Sequence, residues 1–194
     1  MTAVRKPAAL LTLALSHAAC GGGASAGAPS PMPTPKAPTA PAQGADDLGP
    51  LEPSAIEARH ESWRKAREEA APDAEAARAL RSVPPGAEVV VFLGVWCPDS
   101  RHDVPRLWKA FDQAGGPLPF SVTYVGVGRD KREPGGTAEA AGLRYVPTVV
   151  VRRGGREVGR IVESAPGGIE RALADLLSGA RSGVISGRAD LGGR

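Results

Sequence analysis

Five consecutive apolar residues, Val89 to Leu93, predict a strand buried on both faces. Gly94 ends it, and after Trp96-Cys97 the chain meets Pro98 and a charged run. That run predicts a helix from Pro98 to about Ala114, with Leu107, Trp108 and Phe111 as its buried stripe. Pro105 falls inside it, where a proline removes a backbone donor and kinks the axis. Gly115-Gly116-Pro117 closes the helix, and Phe120 to Val127 reads as a second strand. A charged loop, Gly128 to Gly136, leads to one or two helical turns over Thr137 to Gly142. Val146 to Val151 and Glu157 to Val162 read as two strands joined by the hairpin turn Arg153-Gly154-Gly155-Arg156. Pro166 to Leu177 is amphipathic, with Ile169, Leu173, Leu176 and Leu177 inward. Ser178 to Arg194 shows no sustained period and is expected to be a disordered tail. Strand, helix, strand, helix, strand, strand, helix packs naturally as one central mixed sheet of about four strands flanked by helices, an α/β fold.

Upstream the pattern weakens. Ser54-Ala55-Ile56-Glu57 matches a capping box, so a helix is expected from there to about Ala70. Ile56, His60, Trp63 and Arg67 share one of its faces, and His60 reads as a partly exposed helix residue. Pro72-Asp73 starts a short second helix to about Ser82, mostly alanine on its apolar side and therefore lightly packed. Pro84-Pro85-Gly86 breaks the chain before the central strand. Gly21 to Pro53 is Ala, Gly, Pro, Ser and Thr with few large apolar residues, and reads as a flexible tether.

The first residues carry an address. Arg5 and Lys6 precede the short apolar run Ala8 to Leu15, and Ala18-Ala19 stand before Cys20 and three glycines. The segment resembles a bacterial lipoprotein signal, with His17 where an aliphatic residue is usual. The resemblance implies that Cys20 becomes a lipidated N-terminus and that the protein is exported to the cell envelope, anchored to a membrane through that lipid. The expected organisation is an export signal at 1–19, a tether at 20–53, a helical extension at 54–81, a folded domain at 82–177 and a tail at 178–194.

Composition changes this picture little. The 194 residues allow one domain with extra segments, and a Val, Leu and Ala core is feasible although aromatics make up only 4%. The net charge of +3 includes Arg5 and Lys6 of the removable segment, and the remaining charges are mixed along helices, so no nucleic acid partner is expected. There is no internal repeat and no Gly-rich phosphate loop, so neither a nucleotide nor another cofactor is expected.

The chemistry lies at Cys97, which the strand hands to the first turn of a helix, where orphan N–H groups and the positive end of the dipole gather. Asp99 opposes a negative charge there, and Arg101 and His102 offset it in part. Asp99, His102 and Asp103 share a helix face, read as a solvated face rather than a catalytic set. Trp96-Cys97 after a buried strand, Pro105 eight residues on, Val146-Pro147-Thr148 before the next-to-last strand and Gly154-Gly155 in the hairpin together resemble the thioredoxin superfamily. The run W-C-P-D-S resembles a bacterial branch with W-C-x-D-S in place of C-x-x-C.

The resemblance implies a thioredoxin fold over about Ser82 to Leu177. It implies a cis bond at Pro147, lying against Cys97, and a substrate surface at Trp96, Pro98, Val146 and Pro147, where the backbone of Val146 meets an extended thiol substrate. It also exposes two departures. The resolving cysteine is replaced by Ser100, whose hydroxyl is expected to hydrogen-bond the Cys97 sulfur, and the buried carboxylate six residues before the cysteine is replaced by Val91. A dithiol cycle needs the second thiol. The expected role is therefore monothiol redox chemistry at Cys97, assisted by Ser100, through mixed disulfides with a protein or small thiol. The alternative is a non-catalytic module that grips an extended peptide. Metal binding as in monothiol glutaredoxins is disfavoured by Trp96, so no metal is expected, and the upstream pattern of a peroxidase is absent.

Overall fold

The computed structural model describes residues 44–191. The expected export signal, Cys20 and residues 20–43 of the expected tether lie outside the described residues.

A sheet of six strands organises the domain, in the order β1-β3-β2-β4-β5-β6. β2 (Ala87–Leu93) is central, paired in parallel with β3 (Phe120–Gly126) and antiparallel with β4 (Thr148–Arg153). β4 turns into β5 (Arg156–Val162) through Gly154 and Gly155, both at positive φ, as a two-residue turn matching the sheet's twist requires. Two further strands enlarge the sheet beyond the four expected. β1 (Gly49–Leu51) runs antiparallel to β3, and β6 (Gly183–Ser186) runs parallel to β5. Residues 44–53 therefore belong to the fold rather than to a tether, and residues 183–191 are ordered rather than a disordered tail.

β2 shows why the sheet is buried on both sides. Val89, Val91 and Leu93 enter the larger apolar cluster, and Val90 and Phe92 face the smaller one. The larger cluster is closed by α1 (Pro53–Arg59), α2 (Glu61–Glu69), α3 (Ala74–Ala79), α4 (Pro98–Ala114) and α6 (Ile169–Ser178). The smaller cluster contains Cys97, Val125, Val127, Val146 and Val150, with Ala138 from the short α5 (Thr137–Ala140). α4 runs through Pro105 without interruption and ends at Gly115 in the left-handed region.

The helical extension departs from its expected form. Its first helix starts at Pro53 with Glu52 as N-cap and no side-chain capping bond, so the Ser54–Glu57 box does not form. Glu57 instead accepts a hydrogen bond from Arg67 at 2.9 Å. The expected single helix is split at His60, whose extended backbone ends α1 and precedes α2. The split turns His60 Nε2 onto the Asp47 carboxylate at 3.0 and 3.1 Å, where Arg59 also bonds. α3 is not lightly packed: Ala76, Ala77 and Leu80 are buried. Asp73 caps it through Ala76 N–H at 2.8 Å, and the Asp73 N–H donates to the buried Glu170 at 2.7 Å.

Candidate active site

β2 ends at Leu93, and a tight turn delivers Cys97 to the head of α4. The Cys97 N–H donates to Gly94 O at 2.8 Å, and Arg101 N–H donates to Cys97 O at 3.0 Å as the helix begins. Pro98 occupies N1, where no N–H is needed, and is exposed. Ser100 is fully buried, and its Oγ accepts the Gly94 N–H at 3.2 Å. Ser100 thus ties the turn before the cysteine to the first turn of the helix. The hydrogen bond from its hydroxyl to the Cys97 sulfur, expected from the sequence, is not the contact it makes.

Cys97 is a free cysteine with only 5% of its surface exposed, and its Sγ–H donates to Val146 O at 3.3 Å. The Val146–Pro147 bond is cis. The loop is fixed from both sides. Thr148 Oγ1 donates to Tyr145 O at 2.8 Å, and Glu163 N–H donates to Pro147 O at 2.7 Å. The structure therefore brings Cys97, Val146 and Pro147 together. Val146 was expected to offer its backbone to a substrate, and its carbonyl is engaged by the thiol itself. Val91 is wholly buried in the larger cluster.

The Trp96 ring packs against the smaller apolar cluster, which also holds Cys97. Its Nε1–H donates to Val127 O at 3.0 Å. Gly94 makes room for the ring: a Cβ there would lie 2.7 Å from Cε2. Arg129 and Lys131 stand over the ring, 4.8 and 4.7 Å from its centroid. Their loop is anchored by Glu133, a buried carboxylate that accepts N–H groups of Gly135, Thr137 and Ala138. The cation pair and the Glu133 anchor were not recognised in the sequence, where the loop read only as charged and glycine-containing.

Support also comes from the extension. Trp63 Nε1–H donates to Val95 O at 3.2 Å, directly before Trp96, and its ring packs 5.7 Å from Trp108 of α4. The extension therefore braces the underside of the cysteine turn.

Asp99, His102 and Asp103 are more than a solvated face. Asp99 and His102 are exposed, but Asp103 is buried, with Oδ1 2.8 Å from His102 Nδ1. Burial raises the Asp103 pKa, against the pull of His102. With Arg106, Glu163 and Ile169 these residues line a cleft of about 390 Å³ that Cys97 does not reach. Among the described residues no cluster of three or more His, Cys, Asp or Glu side chains is arranged to hold a metal ion.

A buried-strand cysteine at a helix N-terminus, a cis-proline loop against its sulfur and a mixed sheet flanked by helices make the fold α/β and thioredoxin-like. No family model matches the chain. Among solved structures, the chain is similar to a protein of unknown function from Pseudomonas aeruginosa at 16% identity and a TM-score of 0.46, covering 70% of this chain and 86% of that one. It is also similar to a thioredoxin from Aeropyrum pernix at 19% identity and a TM-score of 0.36, covering 66% and 92%. Trxlp from Edwardsiella tarda matches at 20% identity and a TM-score of 0.37, covering 56% and 96%.

Proposed function

We propose that this protein is a monothiol redox protein of the thioredoxin-like fold, acting through Cys97. The observation that carries the reading is the Cys97 sulfur at the head of α4, bonded to the carbonyl of the residue before a cis proline. In the reaction, the Cys97 thiol loses its proton to solvent and the thiolate attacks one sulfur of a partner disulfide. A Cys97–partner disulfide forms, the partner's S–S bond breaks, and its second sulfur leaves as a thiolate that takes up a proton. An external thiol then attacks the mixed disulfide and returns Cys97 to the thiol. The attack requires Sγ to leave Val146 O, which frees that carbonyl for the backbone of the partner. Ser100 orders the turn and resolves nothing, so turnover needs the external thiol.

The proposal includes an address: export, lipidation at Cys20 and a place in the cell envelope, with residues 20–43 between the lipid and the ordered domain. Cys20→Ala is expected to move the protein from the membrane fraction to the soluble fraction.

A second reading has its own observation. Cys97 is 95% covered, a degree of burial that suits a scaffold cysteine. In that reading the surface around Trp96 and Pro147 binds an extended peptide without turnover. Trapping in intact envelopes separates the two. Disulfide-linked adducts that vanish in Cys97→Ala support the redox reading. Partner capture that survives Cys97→Ala, with no adducts, supports the scaffold and sinks the redox reading.

A further inference from the structure

We infer that the Cys97 site is selective for disulfides carrying a carboxylate close to the reacting sulfur, a selectivity set by Arg129 and Lys131. This inference rests on the redox reading and names its substrate class.

Two cations converge on one ring. The guanidinium of Arg129 lies 4.8 Å from the Trp96 centroid and the ammonium of Lys131 lies 4.7 Å from it. Trp96 is the residue next to Cys97, and its ring is pinned by Val127 O. Among the described residues neither cation has a carboxylate partner. Lys131 donates to the carbonyl of Arg129 at 3.0 Å. The nearby acids are engaged elsewhere. Asp130 accepts the Arg132 N–H, Glu139 faces Arg132, and Glu133 is filled by three backbone N–H groups. Two like charges beside one ring repel each other, and an anion bound next to them relieves that repulsion. Arg129 is exposed and Lys131 half-exposed, so the pair is open to a ligand.

The head of α4 carries mixed charge, Asp99 and Asp103 beside Arg101, His102 and Arg106, and so offers an anion no comparable unpaired cation pair. Asp99 is exposed at the head of α4, and the buried Asp103 lies one turn further on. A carboxylate-bearing partner is therefore drawn to the Trp96 side. Its sulfur arrives at Cys97 with the carboxylate over the cation pair.

The test compares two probes on the full chain carrying Cys20→Ala, which leaves Cys97 as its one thiol. Dithiobis(nitrobenzoate) carries a carboxylate on each half, and dithiodipyridine carries none. Each reacts as written for the partner disulfide: one half remains on Cys97 and the other leaves, as the nitrothiobenzoate thiolate or as the protonated thiopyridone, and is read by its absorbance. The readout is the ratio of the two rate constants within each protein, which removes any general change in thiol reactivity. In the Arg129→Gln/Lys131→Gln variant the anionic-to-neutral ratio is expected to fall about tenfold, and salt should lower the wild-type ratio toward the variant's. Arg78→Gln, which removes an exposed cation from α3, should leave the ratio where it was. A ratio that is the same in the double variant overturns the inference while leaving the redox reading intact. A Cys97 that reacts with neither probe overturns both.

Discussion

Ser100 stands three residues after Cys97 and holds the backbone of the turn. Its Oγ accepts the Gly94 N–H inside a fully buried turn. Ser100→Cys exchanges that acceptor for a weaker one and is expected to cost about 1 kcal/mol. It also creates the C-x-x-C spacing. With Cys20→Ala in both proteins, the variant should lose both its thiols under mild oxidation and recover them on reduction, whereas the protein with Ser100 keeps the Cys97 thiol. Two persistent thiols would show that the turn holds residue 100 out of reach. Gly94 is the second decisive residue. An alanine Cβ would strike the Trp96 ring at 2.7 to 2.9 Å, so the indole must leave Val127 O and the cations over it. Gly94→Ala should shift Trp fluorescence and lower stability by about 1–3 kcal/mol in denaturant unfolding. An unchanged spectrum would place the ring elsewhere.

Between elements, the strongest polar joint is Glu170. It lies wholly buried in α6 and accepts Arg106 Nε at 2.9 Å and Nη2 at 2.6 Å from α4, and Asp73 N–H from the head of α3. Burial alone would raise its pKa, but the Arg106 hydrogen bonds and the backbone donors outweigh it and hold the pKa below the usual glutamate value. A depressed folded-state pKa adds stability that is present above the unfolded value, near 4.3, and is lost as pH falls through the folded value. Asp103 works in the opposite sense: its raised pKa costs stability as pH rises through the carboxylate range. Glu170→Gln should destabilise by about 2–3 kcal/mol at neutral pH, and by progressively less in acid, when both proteins are unfolded across pH. A loss that does not shrink in acid would exclude the charged clamp. This joint explains why the sequence misjudged α3. Its small alanines gave no strong apolar signal, and no periodicity reveals that Glu170, 97 residues from Asp73, accepts the N–H at its entrance. The same holds for the His60 break, which depends on Asp47 reaching back from a segment that reads as tether. By contrast β2, β3, the β4–β5 hairpin, α4 and α6 were legible, because each carries its own period or turn glycines. At the site, Cys97 was readable from the passage of strand into helix, and the cis bond at Pro147 was implied by the resemblance to thioredoxins. The turn of Trp96 toward Arg129 and Lys131 was not, because it depends on Val127 O and on the absence of a Cβ at Gly94.

The molecule as a whole is closed at its C-terminal edge by a strand too short to announce itself. β6 spans four residues and buries one large side chain, Ile185, so a period of two has almost nothing to repeat over. Yet it covers the edge of β5, and Ser186 Oγ donates to Val162 O at 2.8 Å. Beyond it, Arg188 bonds Glu163 at 2.9 Å and Asp190 at 2.8 Å and stacks 4.2 Å over Tyr145. Tyr145 in turn donates to Asp190 at 3.2 Å and directly precedes Val146, the residue that receives the Cys97 thiol. Residues 183–191 therefore steady the cis-proline loop from outside. A chain ending at Gly179 loses the burial of Ile185, about 2 kcal/mol, and bares the backbone of β5. It should melt lower than the full chain and self-associate in size-exclusion chromatography. With the loop loosened, Cys97 should also react faster with a neutral disulfide. A truncated protein that melts, elutes and reacts like the full chain would show that the edge strand carries neither stability nor control of the thiol.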